Sequence, residues 1–298
     1  MAYNYLIKAL SRDGYVDIVA ADSTGMVEEA RRLHNCAPTA AAALGRLLTA
    51  ASMMGSDLKT ENASVSLRIK ADGEAGTILC TSDSTACARG TIGNPFVDPP
   101  RKVNGKLDVG AAVGHDGMLE VIRDPGFGEP YIGRVPLVSG EIAEDVTSYY
   151  FHSEQAPTVC GLGVLIQNAH VVCAGGYLIR LLPGTPDDVI TEVERCAPLF
   201  APATQFLSEG ASPEEIIQLM LPGFDMQILP ESKRELRYVC KCSEERVTRA
   251  LISLGRAELE KFAGECVDNP AEIKCEFCDK KYTFTSADLM ELARQCRK

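Results

Sequence analysis

The chain has 298 residues, 46% hydrophobic and 24% charged, with 12 cysteines, no tryptophan and a net charge of −11. That is the composition of an ordinary globular protein of about two domains, and with no run of 18 apolar residues it excludes a transmembrane helix and a membrane partner. The acid excess lies outside the C-terminal end: residues 231–298 hold 14 Lys/Arg against 13 Asp/Glu and the rest of the chain 16 against 28, so the main body repels phosphate backbones and nucleic acid is not an expected partner.

The first residues, "MAYNYLIKALSRDGYVDIVAAD", alternate apolar and polar side chains and lack the basic and apolar regions of a secretory leader. A cytoplasmic location is therefore expected. In that reducing compartment twelve cysteines point to metal or redox chemistry, not to a permanent disulfide framework. Residues 3–23 read as two strands joined at Asp13-Gly14, a hairpin signal. Helices are expected at about 24–35 and 38–56, the second apolar nearly all round and so buried. Strands follow at 63–72, 76–84, 118–124 and 131–137, then a helix at about 140–154 and strands at 158–166 and 169–178. Because strands cluster and do not alternate with helices, the fold class is α+β, with residues 1–183 forming one domain on antiparallel sheet.

The character changes at "LLPGTPDD", 181–188. A helix over 187–200 would place Val189, Val193, Cys196 and Phe200 on one face, and a second short helix follows "SPEE" at 212–215. Together with the apolar stretch 219–230, broken by Pro222-Gly223, this makes 184–232 a helical connector rich in apolar surface. From 233 to 298 the tail should run strand, cysteine pair, two helices, hairpin, helix. Ser243 is a good N-cap, Gly255 closes the first of those helices and Gly264 the second.

The tail carries half of the cysteines, among them Cys240-Lys-Cys242 and Cys275-Glu-Phe-Cys278 with 32 residues between the pairs. A thiolate pair on a tight turn is half of a tetrahedral zinc site, and two pairs close it. One Zn2+ per chain is expected on Cys240, Cys242, Cys275 and Cys278. Four thiolates leave no open position, so the ion would be structural. The tail is poor in large apolar groups, with three Phe and two Tyr, so zinc would supply most of its folding energy, on the order of 10–16 kcal/mol by zinc-finger precedent. Thiolates are also what oxidants attack, and each has a partner at hand within its pair. Oxidation would expel the ion, melt the tail and uncover apolar surface able to bind unfolded chains. The residues alone therefore describe a zinc-held redox switch over a hidden hydrophobic surface.

The chain also resembles, over nearly its whole length, the redox-regulated heat-shock chaperone family of 33 kDa. The resemblance rests on "RLHNCAPTAAAALGRLLTAASMMG" (32–55), "GFGEPYIGRVPLVSGEIAEDVTSYYFHSEQAPT" (126–158), "AGGYLIRLLPG" (174–184), "CKCSEERVTRALISLGRAEL" (240–259) and "IKCEFCDKKYTF" (273–284). It implies an ATP-independent holdase, not an enzyme. The reduced form would be a zinc-bound inactive monomer. The oxidised form would carry Cys240–Cys242 and Cys275–Cys278 disulfides, lose zinc, unfold its C-terminal region and dimerise through the N-terminal domain. Cys266 and Cys296 fall outside that motif and read as small buried residues or idle thiols, the competing reading being alternative disulfides or exchange as ligands.

Other chemistry is thin. No phosphate-binding P-loop supports a nucleotide partner, and no nucleophile elbow is present. His34 and Cys36 read as part of a helix–helix turn, "CGLGVLIQ" (160–167) as strand, and "GFGEPYIG" (126–133) as a structural turn. Two competing functions are a redox-inert zinc ribbon docking on RNA or protein through Arg246, Arg249, Arg256, Lys280 and Lys281, and an enzyme in the N-terminal domain. The first is weakened by interspersed acids such as Glu244, Glu245 and Asp279, the second by the lack of any acid–base constellation. For client proteins the expected surface is the connector's apolar face: Val189, Ile190, Val193, Leu199 and Phe200, with Ile216, Ile217, Leu219 and Met220.

Overall fold

The computed structural model of the chain describes residues 3–296. Two compact units divide between Val239 and Cys240. In the first, β1 (Tyr5–Ser11) and β2 (Val16–Asp22) form the expected hairpin, its turn placing Gly14 at φ +80° where a side chain would be strained. Helices α1 (Thr24–His34) and α2 (Pro38–Gly55) follow. Then come β3 (Ser64–Ala71), β4 (Ile78–Asp83), β5 (Ala88–Ile92), the single turn α3 (Val109–Val113), β6 (Gly117–Asp124) and β7 (Tyr131–Pro136). Helix α4 (Ala143–Ser153) leads into the long hairpin of β8 (Thr158–Gln167) and β9 (His170–Leu181). "CGLGVLIQ" lies in β8, and 126–130 make the turn before β7.

Two five-stranded sheets result, with orders β5-β4-β3-β6-β7 and β10-β1-β2-β9-β8, where β10 is Met226–Glu235. All the ladders within them are antiparallel. Helix α2 packs against both sheets and its residues are buried but for Pro38 and the edge position Arg46, as its uniformly apolar sequence requires. Arg46 is neutralised by Glu141 at 2.6 Å.

The second of these sheets is apolar on both faces. Leu6, Val19, Ala21, Ala174 and Leu178 point to the α1/α2 side, while Ile7, Ala9, Val16, Ile18, Ala20, Ile179 and Leu181 point to the other. The period of two along each strand sorts them. The outer face is covered by the stretch beyond β9: α5 (Asp187–Arg195), α6 (Ala203–Ser208) and α7 (Pro213–Met220).

Here the structure departs from the expected helical connector. The helix over 187–200 stops at Arg195 and gives way to a single 3-10 turn at 197–199, because Pro198 has no N–H to donate and its ring crowds the preceding turn. Residues 226–235 are strand, not part of a helical segment. They return to pair with β1, with Leu229 opposite Lys8 and Arg234 opposite Leu6, and the extra residues between them form a bulge. An edge position tolerates Pro230. A boundary at 233 thus falls inside β10, and 184–232 belongs to the first compact unit.

The second unit comprises α8 (Glu244–Ser253), α9 (Arg256–Glu265), the hairpin β11 (Ala271–Lys274) and β12 (Lys281–Phe284), and α10 (Ser286–Gln295). Ser243 caps α8 by accepting from the Arg246 N–H, and Gly255 ends that helix at φ +86°. Gly264 does not end α9, which runs one residue past it to Glu265. The unit's core is small: Leu251, Leu259, Ala263, Cys266, Ala271, Tyr282, Phe284, Leu289, Leu292 and Ala293.

Candidate metal centre

Cys275 directly follows β11 and Cys278 precedes β12, so the hairpin register dictates the turn that carries them. The Cys275 N–H donates to Lys280 O at 2.9 Å, and the Cys275 carbonyl accepts from the N–H groups of Cys278 (3.3 Å) and Asp279 (2.9 Å). Asp279 takes the left-handed conformation that closes such a turn, φ +62°, one of the few residue types besides glycine that does so readily. The opposing pair, Cys240 and Cys242, lies in a segment without regular secondary structure before the α8 cap.

All four sulfurs lie within 4.8 Å of one another, and all four residues are half-buried. Cys240 Sγ is 3.7 Å from Cys275 Sγ, and Cys242 Sγ is 3.4 Å from Cys278 Sγ. Four thiolates around zinc, with bonds of about 2.3 Å, place their sulfurs about 3.8 Å apart. The donor set and its spacing therefore fit a tetrahedral Zn2+.

The sulfurs are not equivalent. Burial pushes the Cys240 and Cys278 thiols up. Burial acts the same way on Cys242, but hydrogen bonds from Tyr282 Oη and from the sulfurs of Cys278, Cys240 and Cys275 outweigh it and bring that thiol down to about 7. The Tyr282 hydroxyl lies 3.1 Å from Cys242 Sγ. That bond, with burial, raises the hydroxyl above its ordinary value and keeps it protonated, hence a donor. Spacing alone missed Tyr282. Its only signal was a polar-tipped aromatic at an inward position of β12, four residues after Cys278.

Cys266 and Cys296 are not in the four-sulfur group. Cys266 is buried in the small core, and Cys296 packs beside it with its thiol 3.5 Å from Ile252 O. His34 and Cys36 sit where α1 turns into α2. His34 Nε2 is 2.9 Å from Gly90 O, and burial drives the Cys36 thiol to about 12, which leaves no nucleophile there at neutral pH.

The connector residues expected to meet client proteins are brought together, on the outer face of the sheet. Val193, Ile216, Ile217 and Met220 are buried in its apolar cluster, and Val189, Ile190 and Phe200 pack against its margin. Leu199 and Leu219 point to solvent instead.

Among the described residues no helix is long and apolar enough to cross a membrane. Comparison with known proteins then places the whole arrangement. The family model described as "Hsp33 protein" matches residues 4–285. The "33 kDa chaperonin" of Acetivibrio thermocellus is 44% identical, over 98% of this chain and 97% of its own length. That of Clostridioides difficile is 42% identical over 98% and 99%. The crystal structure of the 33 kDa chaperonin (heat shock protein 33 homolog) of Thermotoga maritima superposes with a TM-score of 0.87 at 30% identity, covering 98% of this chain and 99% of that one. With the family model matched over residues 4–285 and relatives 42–44% identical along essentially their full length, the chain belongs to the Hsp33 protein family.

Proposed function

We propose that the protein is a redox-regulated, ATP-independent holdase whose client surface is covered while Cys240, Cys242, Cys275 and Cys278 hold one Zn2+. The observation that carries this reading is the convergence of four sulfurs within 4.8 Å in a unit with so small a core. Zinc on four thiolates supplies a closed cross-link between the Cys240–Cys242 segment and the β11–β12 hairpin, with no open position for catalysis.

A hydroperoxide is the oxidant class that fits. Within each pair one sulfur attacks the O–O bond, forming S–O and releasing water after protonation. The second sulfur then displaces the oxygen as water, and the S–S bond forms. Each of the disulfides Cys240–Cys242 and Cys275–Cys278 thus consumes one peroxide, surrenders two electrons and ends with both sulfurs lost as donors. Among the described residues the second unit's core has ten buried side chains, and the unit unfolds once the cross-link is gone.

The connector is suited to follow. Its helices α5, α6 and α7 have nine, six and eight residues, below the length of about 12–15 at which a helix holds by itself in water. They persist only by packing on the sheet. Their release bares Val189, Val193, Phe200, Ile216, Ile217 and Met220 together with the sheet face, which is the surface for unfolding client proteins. Dimerisation of the oxidised form through the first unit, and residence in a reducing cytoplasm, belong to the same reading. It requires no nucleotide, nucleic acid or membrane.

The test is to measure bound zinc, free thiols and suppression of aggregation of an unfolding client in the same samples, before and after mild peroxide with gentle heat. One zinc per chain released as about four thiols vanish, with activity that appears and reverses with reductant, is the expected result. Retention of zinc, or loss without any gain in client binding, would instead make the tail a structural ribbon.

A further inference from the structure

We propose that Tyr282 sets the rate at which Cys242 is oxidised, by hydrogen-bonding its sulfur and holding electron density away from the oxidant. The inference rests on the switch reading above and concerns how readily that switch is thrown.

Tyr282 sits on β12 opposite Ile273 of β11, with Phe284 the next inward residue on the same strand. Its ring is 6% exposed and packed in the core of the second unit, so the hydroxyl is held in place and not free to rotate into water. Its oxygen is 3.1 Å from Cys242 Sγ, a contact that spans 40 residues and ties the hairpin to the Cys240–Cys242 segment. The Lys280 ammonium lies 5.1 Å from the centroid of the same ring. A cation over a phenol draws on the ring's electrons and makes its O–H a better donor. The relation is thus a buried, polarised donor aimed at one of the four sulfurs.

The chemistry follows from where the donor points. The hydroxyl proton draws on the sulfur lone-pair density that attacks the O–O bond of a hydroperoxide. Attack makes S–O, breaks O–O and sends off hydroxide, which is protonated to water. The thiol of Cys240 then makes S–S, breaks S–O and releases a second water, so one peroxide balances one disulfide. In the zinc-loaded protein each sulfur would already be a thiolate, so the bond adds no thiolate there; it stabilises the sulfur before attack and has to weaken as the S–O bond forms, which slows the first step. Tyr282 is a positioning residue in this scheme, since it acts through Cys242. Its effect is to raise the peroxide level at which the pair responds.

The experiment compares the unaltered full-length protein, Tyr282→Phe and Phe284→Leu, each reduced and loaded with zinc. Thiol loss is followed under peroxide, and partial oxidation is resolved by alkylation and mass spectrometry at Cys242. Tyr282→Phe keeps the ring and removes only the donor. It is expected to oxidise at Cys242 about three- to tenfold faster, as loss of one charge-assisted hydrogen bond implies. Phe284→Leu, which loosens the same strand without touching the hydroxyl, should show no preference for Cys242. A second readout needs no oxidation. In the reduced, cobalt-substituted proteins the thiolate-to-metal charge-transfer band should move to longer wavelength in Tyr282→Phe alone, because the sulfur electrons are no longer stabilised.

An unchanged or slower rate at Cys242 in Tyr282→Phe, with the unaltered protein switching normally, overturns the role of Tyr282 and leaves the switch standing. So does a Tyr282→Phe chain that no longer binds one equivalent of zinc, which would assign the hydroxyl to assembly of the site. If the unaltered protein keeps its zinc and thiols under peroxide, the switch reading itself fails and this inference with it.

Discussion

Tyr238 and Ala88 form a parallel β-bridge that fastens the chain to β5 just before the first cysteine pair begins. The Val239 N–H donates to Ala88 O at 2.8 Å, the Ala88 N–H donates to Arg237 O at 3.1 Å, and the Tyr238 hydroxyl donates to Gly90 O at 2.7 Å. This clasp, with β10 paired to β1 upstream, ends the first unit, so unfolding of the second unit on oxidation should stop at Val239.

Limited proteolysis should reveal that order. After peroxide treatment the first cuts are expected between Cys240 and Cys296, with residues 236–239 protected. Cuts within 187–225 should come second, and β1, β2, β8 and β9 should survive longest. Tyr238→Phe, which loses the bond to Gly90, should let early cuts reach 236–239 by weakening the clasp by about 1 kcal/mol. Cleavage in the connector ahead of any in the tail would contradict the sequence of events proposed here.

Ile217 is fully buried between α7 and the sheet. Ile217→Ala leaves a cavity and should cost about 2–5 kcal/mol of connector packing. The reduced, zinc-loaded variant is then expected to bind an apolar fluorescent dye and to suppress aggregation partially without any oxidant. Ile217→Asp should do so more strongly, since an unpaired carboxylate cannot stay buried there. Oxidised Val193→Asp and Ile217→Asp proteins should both lose client affinity. Full oxidised activity in both would remove this face from the client site.

Cys80, Cys160 and Cys173 of the first unit should be spectators. Burial alone drives the Cys80 thiol far above its ordinary value and pushes Cys160 to about 12, while Cys173 is raised to about 11 by burial and then by Asp22. At pH 7 to 8 these groups are thiols, and the thiolate is the reactive species. Their alkylation in the folded protein should stay slow until the pH nears 11 or the first unit unfolds. Mass spectrometry of peroxide-treated protein should find them reduced while the four tail cysteines are paired. Cys80→Ala should leave the zinc stoichiometry and the oxidation kinetics unchanged.

Metal removal should act on the second unit alone at first. A strong chelator under reducing conditions is expected to abolish the helical circular dichroism of α8, α9 and α10 and leave the sheet signal of the first unit. Cys275→Ser or Cys278→Ser should do the same without chelator, as each takes away one of four donors from a fold that would draw on the order of 10 kcal/mol from the ion under the proposed reading. Retained helicity in either variant would show that the small core suffices.

What was legible in the sequence was local. Alternation marked β1 and β2, strand-like runs marked β3, β8 and β9, a surface apolar nearly all round marked α2 as buried, and the paired spacing of Cys240, Cys242, Cys275 and Cys278 named the four sulfurs that the fold gathers. Short elements such as β5, α3 and α6 escaped, because five or six residues carry too little periodicity to stand out. Tertiary structure alone decided the rest. That 226–235 becomes an edge strand depends on β1, more than two hundred residues away, offering a free row of N–H and C=O groups. That Tyr238 clasps Ala88, and that the Tyr282 hydroxyl reaches Cys242, depends on segments meeting whose own sequences bear no mark of each other. Spacing can name the ligands because chemistry requires them in pairs on tight turns. It cannot name their neighbours, because a hydrogen bond across a fold is set by the packing that brings two distant chains together.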